Sequence, residues 1–161
     1  MTISSKIKDN GIYLGYFTFT PDIDNNYDSF MRMQFHGALR YTDYVNMGDI
    51  VYGMYINDQL VKIGMAGGKL GWYGRQSTYT NISANERTNA MFRRKIGEMF
   101  NFDDVQIHVY AIQTPRIIDK YLDPISGTTI CEEVSRARKV EKRWTNIAKF
   151  EGENLYLCTQ N

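Results

Sequence analysis

Two cysteines, two histidines and three prolines are all that a chain of 161 residues holds of these types. Cys131 and Cys158 form no Cys-x-x-Cys pair, which disfavours both a disulfide framework and a structural zinc site. His36 and His108 are too few to ligate zinc in a protease or to build a His-rich nuclease site. His108 lies in a strand pattern and reads as a packed or edge residue. No apolar run reaches the roughly 18 residues of a transmembrane helix. The opening MTISSKIKDN has no apolar signal-peptide core, so secretion is not expected. The reducing cytoplasm is the expected setting. Two common phosphate signatures are missing as well. Gly64, Gly68 and Lys69 lack the spacing of a phosphate loop, and Leu70 stands where its hydroxyl residue belongs. No Glu-x-Lys tripeptide follows a strand, which removes the commonest carboxylate nuclease motif.

What remains is an ordinary folded composition. Hydrophobic residues make up 43% and charged residues 23%, enough apolar material for one substantial core and a single domain over 1–161. The net charge of +1 conceals a segregation. Residues 1–60 hold 4 basic and 7 acidic side chains, whereas 61–100 hold 7 basic and 2 acidic. Lys62, Lys69, Arg75, Arg87, Arg93, Arg94 and Lys95 form one basic set. Arg136, Arg138, Lys139, Lys142 and Arg143 form a second. Such clustering suits a phosphate-binding face, although solvated helix faces produce it too.

Gly11 to Thr20 is rich in aromatic and β-branched residues and predicts a strand, ended by Pro21 and an Asp/Asn cluster. A short helix is expected near 28–39. Residues 49–56 and 60–65 predict a hairpin around Asn57-Asp58-Gln59. Ala66 to Gly74, with four glycines, reads as a loop. Helices are expected over 85–100 and 129–144, with a strand over 105–112 between them. The fold class is α+β: a small, mainly antiparallel three-stranded central sheet flanked by helices, with an added N-terminal strand.

The informative segment is Ile50-Val51-Tyr52, then nine residues, then Lys62-Ile63-Gly64, with Arg75 and Tyr79 downstream. This resembles the GIY-YIG nuclease superfamily over about residues 49–146. That core carries a tyrosine on each hairpin strand, an arginine followed four residues later by His or Tyr, and a metal-binding glutamate on a later helix. The literal Gly11-Ile12-Tyr13 has no second triplet at the right distance and is a decoy. Lys62 stands where most members have tyrosine, which resembles a subset of compact Type II restriction endonucleases. An ammonium beside a phenol favours the phenolate. Tyr52 could then take a proton from water, or Lys62 could hold the water or a phosphate oxygen; the sequence leaves both open.

Cooperation requires Tyr52 and Lys62 on one face of the hairpin. A plain two-residue turn at Asn57-Asp58 pairs Tyr52 with Ile63 and sends Lys62 to the other face. A three-residue loop, or an equivalent bulge, pairs Tyr52 with Gly64 and Met54 with Lys62, and this is the prediction. On a helix over 129–144, measured from Ala137, Glu133 falls at about −40° inside the apolar stripe, while Glu132 falls at about −140° on the polar side. Glu133 also precedes Asn146 by thirteen residues, similar to the family's Glu-to-Asn interval. Glu141, at about +40°, competes on the same stripe but lies too near Asn146 for that interval.

The resemblance implies hydrolysis of double-stranded DNA with one divalent cation, Mg2+ or Mn2+. Tyr52, Lys62, Arg75, Tyr79, Glu133 and Asn146 are the catalytic candidates, with Glu133 as metal ligand. Lys69, Trp72, Tyr73, Arg87, Arg93, Arg94 and Lys95 are candidates for DNA contact. Trp72 and Tyr73 can equally anchor their loop to the core. A chain this small is expected to dimerise on a palindromic site. A phage, mobile-element or repair nuclease, and a DNA-binding module without catalysis, are the alternatives.

Overall fold

The computed structural model describes residues 1–20, 30–80, 94–101 and 104–158. Thr2 caps the first helix by accepting a hydrogen bond from the Ser5 amide, and α1 runs over Ile3–Asn10 with Ile3 and Ile7 turned inward. The aromatic run after it is strand β1, Ile12–Thr20. The next described segment, Phe30–Phe35, is a strand, β2, rather than the expected helix. Its sequence FMRMQF alternates at period two, with Met31 buried and Arg32 and Gln34 exposed, and that alternation prevails over its helix formers. Helix α2, Tyr41–Asn46, leads into β3, Ile50–Ile56, and β4, Gln59–Ala66.

The glycine-rich stretch is a loop only as far as Leu70, because α3 spans Gly71–Thr80. Gly71 has φ +53°, and a Cβ there would stand 2.5 Å from the Val45 carbonyl oxygen at the end of α2. Of the helix expected over 85–100, residues 94–99 are helical and the part before them lies outside the described residues. Strand β5 is Ile107–Gln113, as expected to within two residues. An unforeseen ribbon follows, β6 (Arg116–Leu122) and β7 (Thr129–Ser135), and then α4, Ala137–Phe150. The expected helix over 129–144 is therefore a strand in its first half.

The main sheet is antiparallel with strand order β2-β1-β5-β3-β4, and β6-β7 forms a separate two-stranded sheet. The expected central three strands and the added N-terminal strand are all present, with β2 as one further edge. Leu14, Phe17, Tyr52, Met54, Val61, Trp72 and Tyr79 belong to one core, which includes α2 and α3 residues. Val51, Tyr55, Leu60 and Ile63 join α1 and α4 in the other. Among the described residues no helix is long and apolar enough to cross a membrane.

Candidate active site

The hairpin register decides which side chains meet. Asn57 and Asp58 both have positive φ, +49° and +63°, as a type I′ two-residue turn requires. Taken alone, that turn would put Lys62 on the wrong face. The register shifts between Met54 and Tyr55, however, so that Tyr55 pairs with Leu60 and Met54 with Lys62. Val61 is the extra residue of the bulge. Tyr52 therefore pairs with Gly64, as expected, and shares a face with Lys62. Gly64 matters because the Tyr52 ring crosses it: a Cβ there would lie 2.5 Å from both Cζ and the hydroxyl oxygen of Tyr52.

Helix α3 supplies two more groups one turn apart. The hydroxyls of Tyr52 and Tyr79 are hydrogen-bonded at 2.7 Å. Arg75 reaches both, donating from Nε to the Tyr52 oxygen at 3.1 Å and from Nη2 to the Tyr79 oxygen at 3.1 Å. Its guanidinium carbon also lies 4.9 Å from the Tyr79 ring centre. The spacing of Arg75 and Tyr79, four residues on a helix, puts them on one face. Trp72 packs edge-on against Tyr52, with centroids 4.9 Å apart, and Phe17 packs edge-on against Tyr79. Tyr52 is 0% and Tyr79 1% exposed.

This burial controls the protonation of the site. It raises the pKa of the Tyr52 phenol, against the opposing pull of Arg75 and the hydrogen bond with Tyr79. It also raises Tyr79 well above the ordinary phenol range. Arg75 is held all the more firmly as a cation, chiefly by Tyr52. The expectation that Lys62 lowers the Tyr52 pKa is thus corrected: desolvation exceeds every favourable interaction, and Arg75 is the cation bearing on this phenol. Lys62 is 8% exposed, and its Nζ donates to the Leu157 carbonyl at 3.3 Å. Burial lowers its pKa, opposed in part by Cys158 and Glu141.

A cleft of about 610 Å3 opens between the glycine-rich loop, α3 and α4. Arg75, Thr78, Lys69, Arg138 and Glu141 line it. Glu141 is half-buried, and burial raises its carboxyl pKa even though Lys62, Arg75 and Arg138 all favour the carboxylate. Glu133, by contrast, sits on β7, paired in register with Ile118, with its side chain 63% exposed and 3.7 Å from Arg116 Nη1. The helical argument for Glu133 fails because the helix begins after it. Asn146 is exposed on α4, about 140° around the helix from Glu141.

The DNA-contact candidates divide. Lys69 is exposed on the cleft. Trp72 is 0% exposed, so it anchors the loop and cannot reach a base. Tyr73 stacks on Phe35 and meets Tyr41 edge-on. Arg94 is exposed, and Lys95 donates to the Tyr156 carbonyl at 3.1 Å. Arg87 and Arg93 lie outside the described residues.

A divalent cation can be tested against the donor set. Among the described residues no three His, Cys, Asp or Glu side chains cluster, so these residues alone form no caged site. One carboxylate in an open cleft can offer an oxygen to a hard cation such as Mg2+, which keeps water and takes further oxygens from the phosphate that the neighbouring cationic side chains attract. Glu141 is the residue that would hold it.

No family model matches the sequence, and no curated protein matches it. Solved structures do. A mutant of bacteriophage T4 EndoII matches with a TM-score of 0.52 and 14% identity, over 96% of this chain and 98% of that one. The restriction endonuclease HPY188I, in complex with product DNA, matches with a TM-score of 0.49 and 16% identity, over 98% of this chain and 84% of that one. At such identity the likeness to the phage protein is one of fold, and it extends over nearly the whole of both chains.

Proposed function

We propose that the protein is a sequence-specific double-stranded DNA endonuclease of the Type II restriction kind, hydrolysing phosphodiester bonds with one divalent cation, Mg2+ or Mn2+. The observation that carries this reading is the Arg75 guanidinium, which spans from two hydrogen-bonded phenols to a cleft that also presents Glu141. The GIY-YIG-like order of Tyr52, Lys62-Ile63-Gly64, Arg75 and Tyr79, and the fold shared with bacteriophage T4 EndoII, support it.

In this mechanism a phosphodiester enters the cleft and its non-bridging oxygens meet Arg75, whose planar donors match the charge that grows in the transition state. Tyr52 can serve as the base only as its phenolate, the form that Arg75 favours against burial: once the phenol proton has left to solvent, the Tyr52 oxygen, held by the Arg75 Nε–H, takes the proton of the attacking water. Tyr79 holds Tyr52 and Arg75 in register through its 2.7 Å and 3.1 Å hydrogen bonds. Lys62 adds positive charge near Glu141. Glu141 would hold the divalent cation, which would supply charge neutralisation for the leaving group. Two strands cut at a symmetric site require two clefts, hence a homodimer on a palindrome.

Incubation of the protein with a complex genomic DNA, with and without Mg2+, followed by sequencing of the ends, tests the reading. Discrete fragments with one shared end sequence, dependent on Mg2+ and lost in Arg75→Ala, are expected. Binding without any cut in the presence of Mg2+ or of Mn2+ would overturn it.

A further inference from the structure

The exposed side of α4 carries Arg138, Lys139, Lys142, Arg143 and Lys149. Among the described residues none of the five lies within ion-pair distance of a carboxylate. The helix pitch sets Arg138, Lys142 and Lys149 within about 40° of one another, with Lys139 and Arg143 beside them. Arg138–Lys142 and Lys139–Arg143 are like-charged pairs one turn apart, and each opposes the helix that carries it. The neighbouring acids are engaged elsewhere. Glu141 faces the cleft, and the Glu151 carboxylate accepts the Ile3 amide at 2.8 Å. Arg138 lies near Glu141 on the cleft, and a helix that leaves Lys139, Lys142, Arg143 and Lys149 without a carboxylate partner among the described residues presents a surface for an anion that arrives from outside.

Arg138 connects this ridge to the cleft, because it lines the same cavity as Arg75 and Glu141. From Arg138 to Lys149 the ridge runs about 17 Å, which matches roughly five phosphates along one strand of a duplex. We propose that the exposed ridge of α4 is a backbone track for double-stranded DNA, holding the phosphates that flank the scissile bond. The polyanion is identified by charge complementarity and by continuity with the cleft, so the inference rests on the nuclease reading for its substrate. It assigns binding to a surface other than the glycine-rich loop and the 85–100 segment. Phosphate contacts of this kind fix position without reading sequence.

The test compares K142A/R143A with a charge-matched control, K6A/K120A, whose residues are exposed on α1 and β6. Duplex affinity is measured by fluorescence anisotropy against NaCl without divalent metal, on two unrelated sequences. Cleavage is measured separately with Mg2+. Each lost phosphate contact lowers the slope of log K against log salt by about 0.9, so the α4 pair should lower it by about 2, equally on both sequences. At saturating DNA its kcat should match wild type while KM rises. The control should retain the wild-type slope. An α4 variant with the wild-type slope, in a protein that still cuts DNA, would overturn the track and leave the nuclease reading intact. A wild type that binds duplex through the ridge but never cuts would keep the track and overturn the nuclease. Absence of duplex binding by wild type would overturn both.

Discussion

The bond between the two phenols can be measured by a double-mutant cycle. Tyr52→Phe removes one oxygen and keeps the ring, so the edge contact with Trp72 at 4.9 Å survives and no sizeable cavity forms. It takes a 2.7 Å partner from Tyr79 and a 3.1 Å acceptor from Arg75 Nε, both at a wholly buried position. Leaving buried donors without partners costs about 1–3 kcal/mol. In a chain of 161 residues each kcal/mol lowers Tm by about 2–4 °C. Tyr79→Phe loses the same phenol–phenol bond and the Arg75 Nη2 contact, and should cost a similar amount. The shared bond is counted in both single variants but lost only once in Tyr52→Phe/Tyr79→Phe. The double variant should therefore be less destabilised than the sum, by about 0.5–3 kcal/mol. Urea unfolding of the four proteins gives the coupling directly. Additivity to within about 0.5 kcal/mol would show that the hydroxyls do not meet, and Tyr79 would lose its role of holding Tyr52 in place. Cleavage, assayed separately, should fall about 10²–10⁴-fold for Tyr52→Phe if its oxygen takes the proton.

Glu141→Gln should abolish metal-dependent cleavage and preserve duplex binding, as gel shift and fragment assays would show. Burial raises the Glu141 pKa, so the folded chain retains this proton longer than the unfolded chain, and its ionisation lowers stability as pH rises above the ordinary carboxylate range. Glu141→Gln should accordingly be at least as thermostable as wild type at pH 7, and a lower Tm would contradict the burial argument. Lys62 has the opposite sign. Its pKa is lowered by burial, so the unfolded chain binds more protons than the folded one below the ordinary lysine value, and stability from this group grows with pH. Lys62→Met should raise Tm at pH 7 and lose that advantage by pH 10; a Tm difference independent of pH would refute it. Gly64→Ala places a methyl 2.5 Å from the Tyr52 hydroxyl and should cost about 1–3 kcal/mol by overpacking, although alanine suits an ordinary strand better than glycine. Its cleavage rate should fall as far as that of Tyr52→Phe, and near-wild-type cleavage would show that the ring need not cross Gly64.

The hairpin was legible because its information is local. Asn57-Asp58 marks the turn, and the side-chain period of two converts loop length into a choice of face. Demanding that Tyr52 and Lys62 share a face calls for a three-residue loop or an equivalent bulge; the chain keeps the two-residue turn and forms the bulge, which gives the expected register Tyr52–Gly64 and Met54–Lys62. Arg75 and Tyr79 were legible only through the resemblance; the helix α3 that makes them a one-turn relation was not foreseen, because its glycines read as a loop. Trp72 could not be resolved this way. Whether an aromatic residue in a glycine-rich segment faces solvent or core depends on Phe17 and Tyr52, which are remote in sequence.

The β6–β7 ribbon was illegible for a different reason. Its residues gain little from the main core: Ile118, Leu122 and Ile125 are 69%, 65% and 97% exposed. A ribbon open on both faces needs no clean alternation, and the pattern of Thr129-Ile130-Cys131-Glu132-Glu133-Val134 satisfies a helical period as readily. What distinguishes the two is the pairing with Arg116–Leu122, which local periodicity cannot reveal. The turn chemistry before it was the available signal. Asp123 accepts the Ile125 and Ser126 amides, and Gly127 takes φ +68°, so the chain reverses just before Thr129. Ser135 then accepts the Ala137 amide where α4 begins. Once the helix starts there, Glu133 is no longer on it, and of the two glutamates on the apolar stripe only Glu141 remains. The stripe arithmetic was sound for the helix it assumed; the helix boundary selected the acid. A carboxylate nearer the middle of α4 can face the cleft beside Arg75, whereas one on β7 is drawn to Arg116 at the root of the ribbon.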